Sequence, residues 1–223
     1  MIDLYSWPTP NGIKISIALE EMALPYTFHP INIGRKEQFG PEFLAISPNN
    51  RIPAIVDRET GIPVFESAAI LMYLAEKTGL FLPTDAAGRV AALEWLFWQA
   101  AGLGPMCGQA HHFRQYAPEP VPYAIERYTR EVSRLYGVLD RRLSGRDFVG
   151  GAYSIADMAI FPWIAPWSLQ GQDLDSFPNV ARWFAAVASR PAVERGRSVG
   201  SALRKPLDDE AKRALFLHGA REP

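Results

Sequence analysis

Between Ser47 and Ser67 the chain reads Ser-Pro-Asn-Asn-Arg-Ile-Pro-Ala-Ile-Val-Asp-Arg-Glu-Thr-Gly-Ile-Pro-Val-Phe-Glu-Ser, and no other stretch limits the fold so closely. Two apolar runs, Ala54 to Val56 and Ile62 to Phe65, flank Asp57-Arg58-Glu59-Thr60-Gly61, which is the pattern of a β-hairpin. Pro53 stands at the entrance to the first strand, where a missing N–H costs no interior ladder bond. Ile52 is left with a backbone N–H and C=O that no neighbouring strand claims. The second strand gives way at Glu66-Ser67 to Ile70, Leu71, Leu74 and Ala75, which recur at helical spacing, and Ser67 reads as the N-cap. A free backbone edge and a carboxylate-plus-hydroxyl pair therefore converge from one hairpin, a geometry suited to holding a short extended peptide.

The chain before the hairpin reads strand (Ile2 to Tyr5), turn-rich loop (Ser6-Trp7-Pro8-Thr9-Pro10-Asn11-Gly12), helix, strand (Tyr26 to Ile31) and short helix (Pro41 to Ile46). In the first helix Ile13, Ile15, Ile17, Leu19 and Met22 are apolar, with polar Lys14, Ser16 and Glu20 between them. This order predicts a thioredoxin-like α/β N-terminal domain over residues 1–80. Phe81 to Gly88 has the Pro and Gly content of a linker. The remainder reads as an all-α C-terminal domain over 87–205, with a tail from 206 to 223. Val90 to Ala101 is apolar almost all round, as in a buried helix. Gly104-Pro105-Met106-Cys107-Gly108 reads as a helix-breaking patch. Pro122 to Leu143 carries an apolar stripe, Ser154-Ile155-Ala156-Asp157 a capping box, and Pro178 to Ser189 a further helix.

The totals exclude several classes. A net charge of −1 over 223 residues argues against a nucleic-acid binder, and no apolar run is long enough to span a membrane. Met1-Ile2-Asp3-Leu4 lacks the start of a signal peptide, so the expectation is a soluble, cytoplasmic protein. Cys107 is the only cysteine, which rules out an internal disulfide or a Cys-x-x-Cys redox motif. If the protein performs thiol chemistry, the thiol arrives on a small molecule. His111-His112 lie at adjacent positions with no carboxylate or cysteine at zinc spacing, so no metal is expected.

The order proline, hairpin, Glu-Ser, helix resembles the glutathione-binding half of the glutathione transferases, and Thr9-Pro10-Asn11-Gly12 resembles their bacterial nu class. The resemblance implies a cis peptide at Pro53, backbone pairing of Ile52 with the cysteine of glutathione, and capture of the γ-glutamyl end by Glu66 and Ser67. It implies that Thr9 and Asn11 contact the sulfur, in place of the tyrosine or serine that other classes use; Tyr5 and Ser6 are the competitors here. The Thr9 hydroxyl, the Asn11 amide and the N-terminus of the first helix would together favour the thiolate, whose unperturbed pKa is about 8.5. It further implies that Gln38 reaches the glycyl end, and that Arg127, in Glu126-Arg127-Tyr128, meets a second glutathione. The implied activity is glutathione-dependent disulfide-bond reduction by a homodimer, with glutathione as co-substrate. The alternatives are glutathione conjugation or organic hydroperoxide reduction, and a non-catalytic regulatory role.

Overall fold

Ile2 and Leu4 are fully buried, and the strand that carries them, β1 (Ile2–Ser6), lies inside a four-stranded sheet. The computed structural model describes residues 1–203. β1 pairs in parallel with β2 (Tyr26–Pro30) and antiparallel with β3 (Ala54–Asp57), and β3 pairs antiparallel with β4 (Pro63–Phe65). The order is β2-β1-β3-β4. Parallel pairing of β1 and β2 requires a crossover, which α1 (Pro10–Glu21) supplies. A short helix α2 (Pro41–Ile46) precedes the hairpin, and α3 (Ser67–Thr78) follows it. This is the expected thioredoxin-like arrangement, and the Ile52–Pro53 peptide is cis.

Two local readings change. Ser67 is the first residue of α3 rather than its N-cap. Glu66 holds the cap position with φ 68°, and its side chain makes no capping bond. The Ser67 hydroxyl is instead engaged by Lys14. The polar Lys14 and Ser16 of α1 are not solvated: every residue from Lys14 to Leu19 is buried, because α1 is covered by α3 and by helices of the second domain. Ser16 donates to the Gly196 carbonyl at 2.7 Å.

The helical domain begins with α4 (Ala86–Trp98), which starts inside the stretch read as linker and is capped by Asp85, whose carboxylate accepts from Gly88 N at 2.8 Å. Its burial is one-sided. Ala92 and Leu96 are fully buried, whereas Val90 and Phe97 are more than half exposed, so the apolar sequence does not mark a helix buried all round. Gly104-Pro105 does not break the chain either. A π-helical turn over Gln99–Leu103 leads directly into α5 (Gly104–Gln115), and Pro105 falls in the first turn of that helix. The Gly104 N–H just before the proline bonds five residues back, to the Gln99 carbonyl, in the wider π turn.

α6 (Pro122–Leu143) buries Val132, Leu135, Tyr136, Leu139 and Leu143, the stripe expected from the sequence. α7 (Ile155–Ile164) opens on a complete capping box between Ser154 and Asp157. The fully buried Asp157 carboxylate also accepts from Val149 N at 3.1 Å and from the Trp183 indole at 2.9 Å. Trp183 belongs to α8 (Pro178–Ala188). A last helix, α9 (Pro191–Ser198), was not read from the sequence. Its Gly196 lies so close to α1 that a Cβ there would stand 2.6 Å from Ile17 Cα. The expected tail over 206–223 lies outside the described residues.

Candidate active site

The sheet register gathers most of the expected residues at one end. Tyr5 pairs with Ala54, and Ala54 pairs with Phe65. Pro53 directly precedes Ala54, and Ser6 and Glu66 directly follow Tyr5 and Phe65, so all three leave the same end of the sheet, with Ile52 and Ser67 one residue beyond. Ser6 also pairs with Pro30 at the parallel end of β2, so the loop carrying Gln38 leaves from the same edge. The N-termini of α1 and α3 open there too. Among the described residues no hydrogen bond engages the Ile52 N–H or C=O, which leaves the backbone edge the sequence pointed to.

At the start of α1 the donors can be counted. Thr9 is the N-cap, and its Oγ1 accepts from Gly12 N at 3.4 Å. Its O–H hydrogen therefore remains to donate. Pro10 has no N–H, and Ile13 N begins the helical ladder on the Thr9 carbonyl at 2.9 Å. The Asn11 N–H is left without an internal acceptor among the described residues, at the positive end of the helix dipole. Gly12 is required here: a Cβ would overlap both the Trp7 carbonyl oxygen and the Ser6 hydroxyl.

The Asn11 side chain is fixed from the other domain. Trp163 on α7 donates its indole N–H to Asn11 Oδ1 at 2.9 Å. An indole nitrogen only donates, so this bond sets the amide orientation and presents the Asn11 NH₂ as a donor. Trp163 is held in turn: Gln170 Nε2 donates to its carbonyl at 2.8 Å, and the buried Tyr136 hydroxyl donates to Gln170 Oε1 at 3.0 Å. The competing residues are engaged elsewhere. Tyr5 stacks on His29 with ring centroids 4.6 Å apart, and Ser6 is buried, donating to the Trp7 carbonyl.

Beneath Ser67 lies a group that the sequence reading passed over. Lys14 is 2% exposed, and its ammonium donates to Gln99 Oε1 at 2.6 Å and to Ser67 Oγ at 3.1 Å. Burial pulls its pKa down to about 7, with Glu66 opposing the shift. A signal was available: Lys14, Ile17 and Ala18 share one face at i, i+3 and i+4, so Lys14 stands in an apolar stripe. Gln38 is also buried, and its amide oxygen has no partner among the described residues.

Arg127 stands apart from the hairpin. It lines a cleft of about 650 Å³ with Met106, Tyr123 and Tyr128, between α5 and α6. Arg130 and Arg134 on the same rim pair with Glu126 and Glu131, whereas Arg127 forms no ion pair among the described residues. The helix that supplies Met106 to the cleft also packs Gly104 and Gly108 against the Trp163 ring. Cys107, on the same helix, is fully buried, and burial pushes its thiol well above the ordinary range. No cluster of three or more metal-ligating side chains occurs among the described residues.

Comparison with known proteins places this geometry in a family. Residues 1–76 match the glutathione S-transferase N-terminal domain, and residues 122–186 match the C-terminal domain of the same family. The chain is 54% identical to the disulfide-bond oxidoreductase YfcG of Escherichia coli over 199 residues, covering 86% of this chain and 93% of that protein. A glutathione transferase from Burkholderia graminis, solved with two glutathione molecules bound per subunit, superposes with a TM-score of 0.84 at 45% identity, over 90% of this chain and 88% of that one. A Pseudomonas putida glutathione transferase, solved with one glutathione disulfide bound per subunit, gives 0.83 at 44% identity, over 89% and 91%. With both domains matched in order and the relatives aligned along nearly its whole length, the chain belongs to the glutathione S-transferase family.

Proposed function

We propose that this protein is a glutathione-dependent disulfide-bond reductase whose reactive sulfur is borrowed from its co-substrate. One observation carries the reading: an unpaired Ile52 backbone and a set of free donors on Thr9 and Asn11 meet at one end of the sheet, in a chain whose single thiol is sealed in the core. The names of the relatives point the same way.

In this reading Ile52 pairs with the cysteinyl backbone of glutathione, cis-Pro53 presents that edge, and Glu66 and Ser67 hold the γ-glutamyl end. Gln38 is assigned to the glycyl end, where its side-chain NH₂ can donate to the carboxylate. Thr9 and Asn11 donate to the sulfur and, with the α1 dipole, stabilise the thiolate. That thiolate attacks one sulfur of the substrate disulfide, forming a mixed disulfide and expelling the other sulfur as a thiolate. A second glutathione thiolate, drawn toward Arg127, attacks the glutathione sulfur of the mixed disulfide. Glutathione disulfide forms and the second substrate thiol leaves. Two glutathione thiols are oxidised for each disulfide reduced, with no protein cysteine in the cycle.

The exposed Val90 and Phe97 on α4 suit burial against a second copy of the chain, so the working unit is a homodimer. The cytoplasm, where glutathione is kept reduced, is the matching compartment. Steady-state reduction of 2-hydroxyethyl disulfide by glutathione tests the activity, with Thr9→Ala and Asn11→Ala beside the parent. Each variant is expected to lose at least tenfold in kcat/KM. No turnover by the parent, or two variants as active as it, overturns the reading.

A further inference from the structure

We propose that Lys14 is a positioning residue for the γ-glutamyl carboxylate of glutathione, acting through Ser67 from beneath the site. The inference rests on the glutathione reading above and goes beyond it, since Lys14 lies in the core and reaches no open cleft. Its side chain is buried under α3 and the π-helical turn, so a solvated surface role does not account for it. A buried amine is costly unless something uses it.

The hydrogen-bond directions give the use. In its charged form Lys14 Nζ has only hydrogens to offer, so at 3.1 Å Ser67 Oγ is then the acceptor. The Ser67 O–H hydrogen is then turned away from Lys14, and it finds no acceptor among the described residues. Gln99 Oε1, at 2.6 Å, holds the ammonium from the far side and keeps it aimed at Ser67. Around this hydroxyl the first amides of α3 also point outward; the ladder begins only at Ile70 N, on the Glu66 carbonyl at 2.9 Å. Hydroxyl, amides and, with the amine protonated, a positive charge behind them match a carboxylate. Glu66, exposed at the cap with a backbone φ of 68°, matches the neighbouring ammonium of the same amino-acid head. The low pKa of the buried amine fits this arrangement, because an arriving carboxylate favours its charged form.

The test is calorimetric titration of the parent, Lys14→Met, Ser67→Ala and the double variant. Each is titrated with glutathione and with 4-aminobutyryl-cysteinyl-glycine, which lacks only the γ-glutamyl carboxylate. Lys14→Met is expected to weaken glutathione about tenfold and the decarboxylated analogue less than twofold. In the Ser67→Ala background the same change is expected to add less than it does alone. In turnover it raises KM and leaves kcat within twofold. Circular dichroism checks folding, and Lys14→Gln carries the same comparison if the Met variant does not fold. Equal affinity of variant and parent for glutathione overturns the proposal, as does an equal loss for both ligands, which marks a purely structural role. A parent that binds neither ligand overturns the glutathione reading itself and this proposal with it; binding by the parent separates the two.

Discussion

Trp163 and Asn11 are 152 residues apart in sequence, yet the indole of one fixes the amide of the other across the domain boundary at 2.9 Å. The helical domain therefore does more than cover the sheet, since it determines which face of the Asn11 amide the site presents. Replacing Trp163 by Phe keeps an aromatic ring against Gly104 and Gly108 but removes the donor. A single hydrogen bond contributes about 0.5–1.5 kcal/mol. We expect kcat/KM for disulfide reduction to fall about three- to tenfold, measured with glutathione saturating and disulfide varied. Unchanged kcat/KM contradicts the positioning role.

Lys14 also makes stability depend on pH. Its folded pKa of about 7 lies below the ordinary value of 10.5. Between those values the unfolded chain binds a proton that the native lysine does not, so its contribution to stability rises with pH across that window. Below about 7 the lysine is protonated in both states and its contribution is flat. Urea unfolding of parent and Lys14→Met at pH 7, 8 and 9 checks this. The parent is expected to gain relative to the variant by up to about 1.4 kcal/mol per pH unit. A constant difference contradicts it.

Cys107 should be a spectator. Its thiol is buried and held protonated, and no step of the proposed cycle uses it. Cys107→Ala is expected to retain activity within twofold while losing about 1 kcal/mol of stability from the small cavity left behind. Native protein is expected to resist iodoacetamide until denaturant is added. Loss of turnover in Cys107→Ala would return the redox chemistry to the protein.

The exposed face of α4 predicts association. Sedimentation is expected to report about twice the 24.8 kDa chain mass, and Val90→Glu with Phe97→Glu to shift it toward the single chain. A parent that sediments as one chain at micromolar concentration contradicts the homodimer.

The legible parts of the sequence were those in which local chemistry and tertiary role agree. The hairpin and the Ser154–Asp157 box announce themselves because each is specified within a few residues, whereas the cis peptide at Pro53 was implied only by the family resemblance. Lys14 was passed over because a charged residue in a helix carries no local sign of burial, and only its place in a buried stripe gives one. Gly104-Pro105 looked like a break because a π-helical turn, which admits the proline at a new helix start, has no local signature. α4 looked buried because its sequence is apolar nearly all round, although only the side carrying Ala92 and Leu96 faces the core. Ser67 looked like a cap because its spacing allows one, although Lys14 takes the hydroxyl first.

A crystal of this protein soaked with glutathione tests the central claim most directly. The account predicts density for the tripeptide with its cysteinyl backbone paired to Ile52, its sulfur within 3.5 Å of Thr9 Oγ1 or the Asn11 amide at roughly hydrogen-bond reach, and its γ-glutamyl head on Ser67. Glutathione bound away from Ile52, or its sulfur facing neither Thr9 nor Asn11, would contradict it.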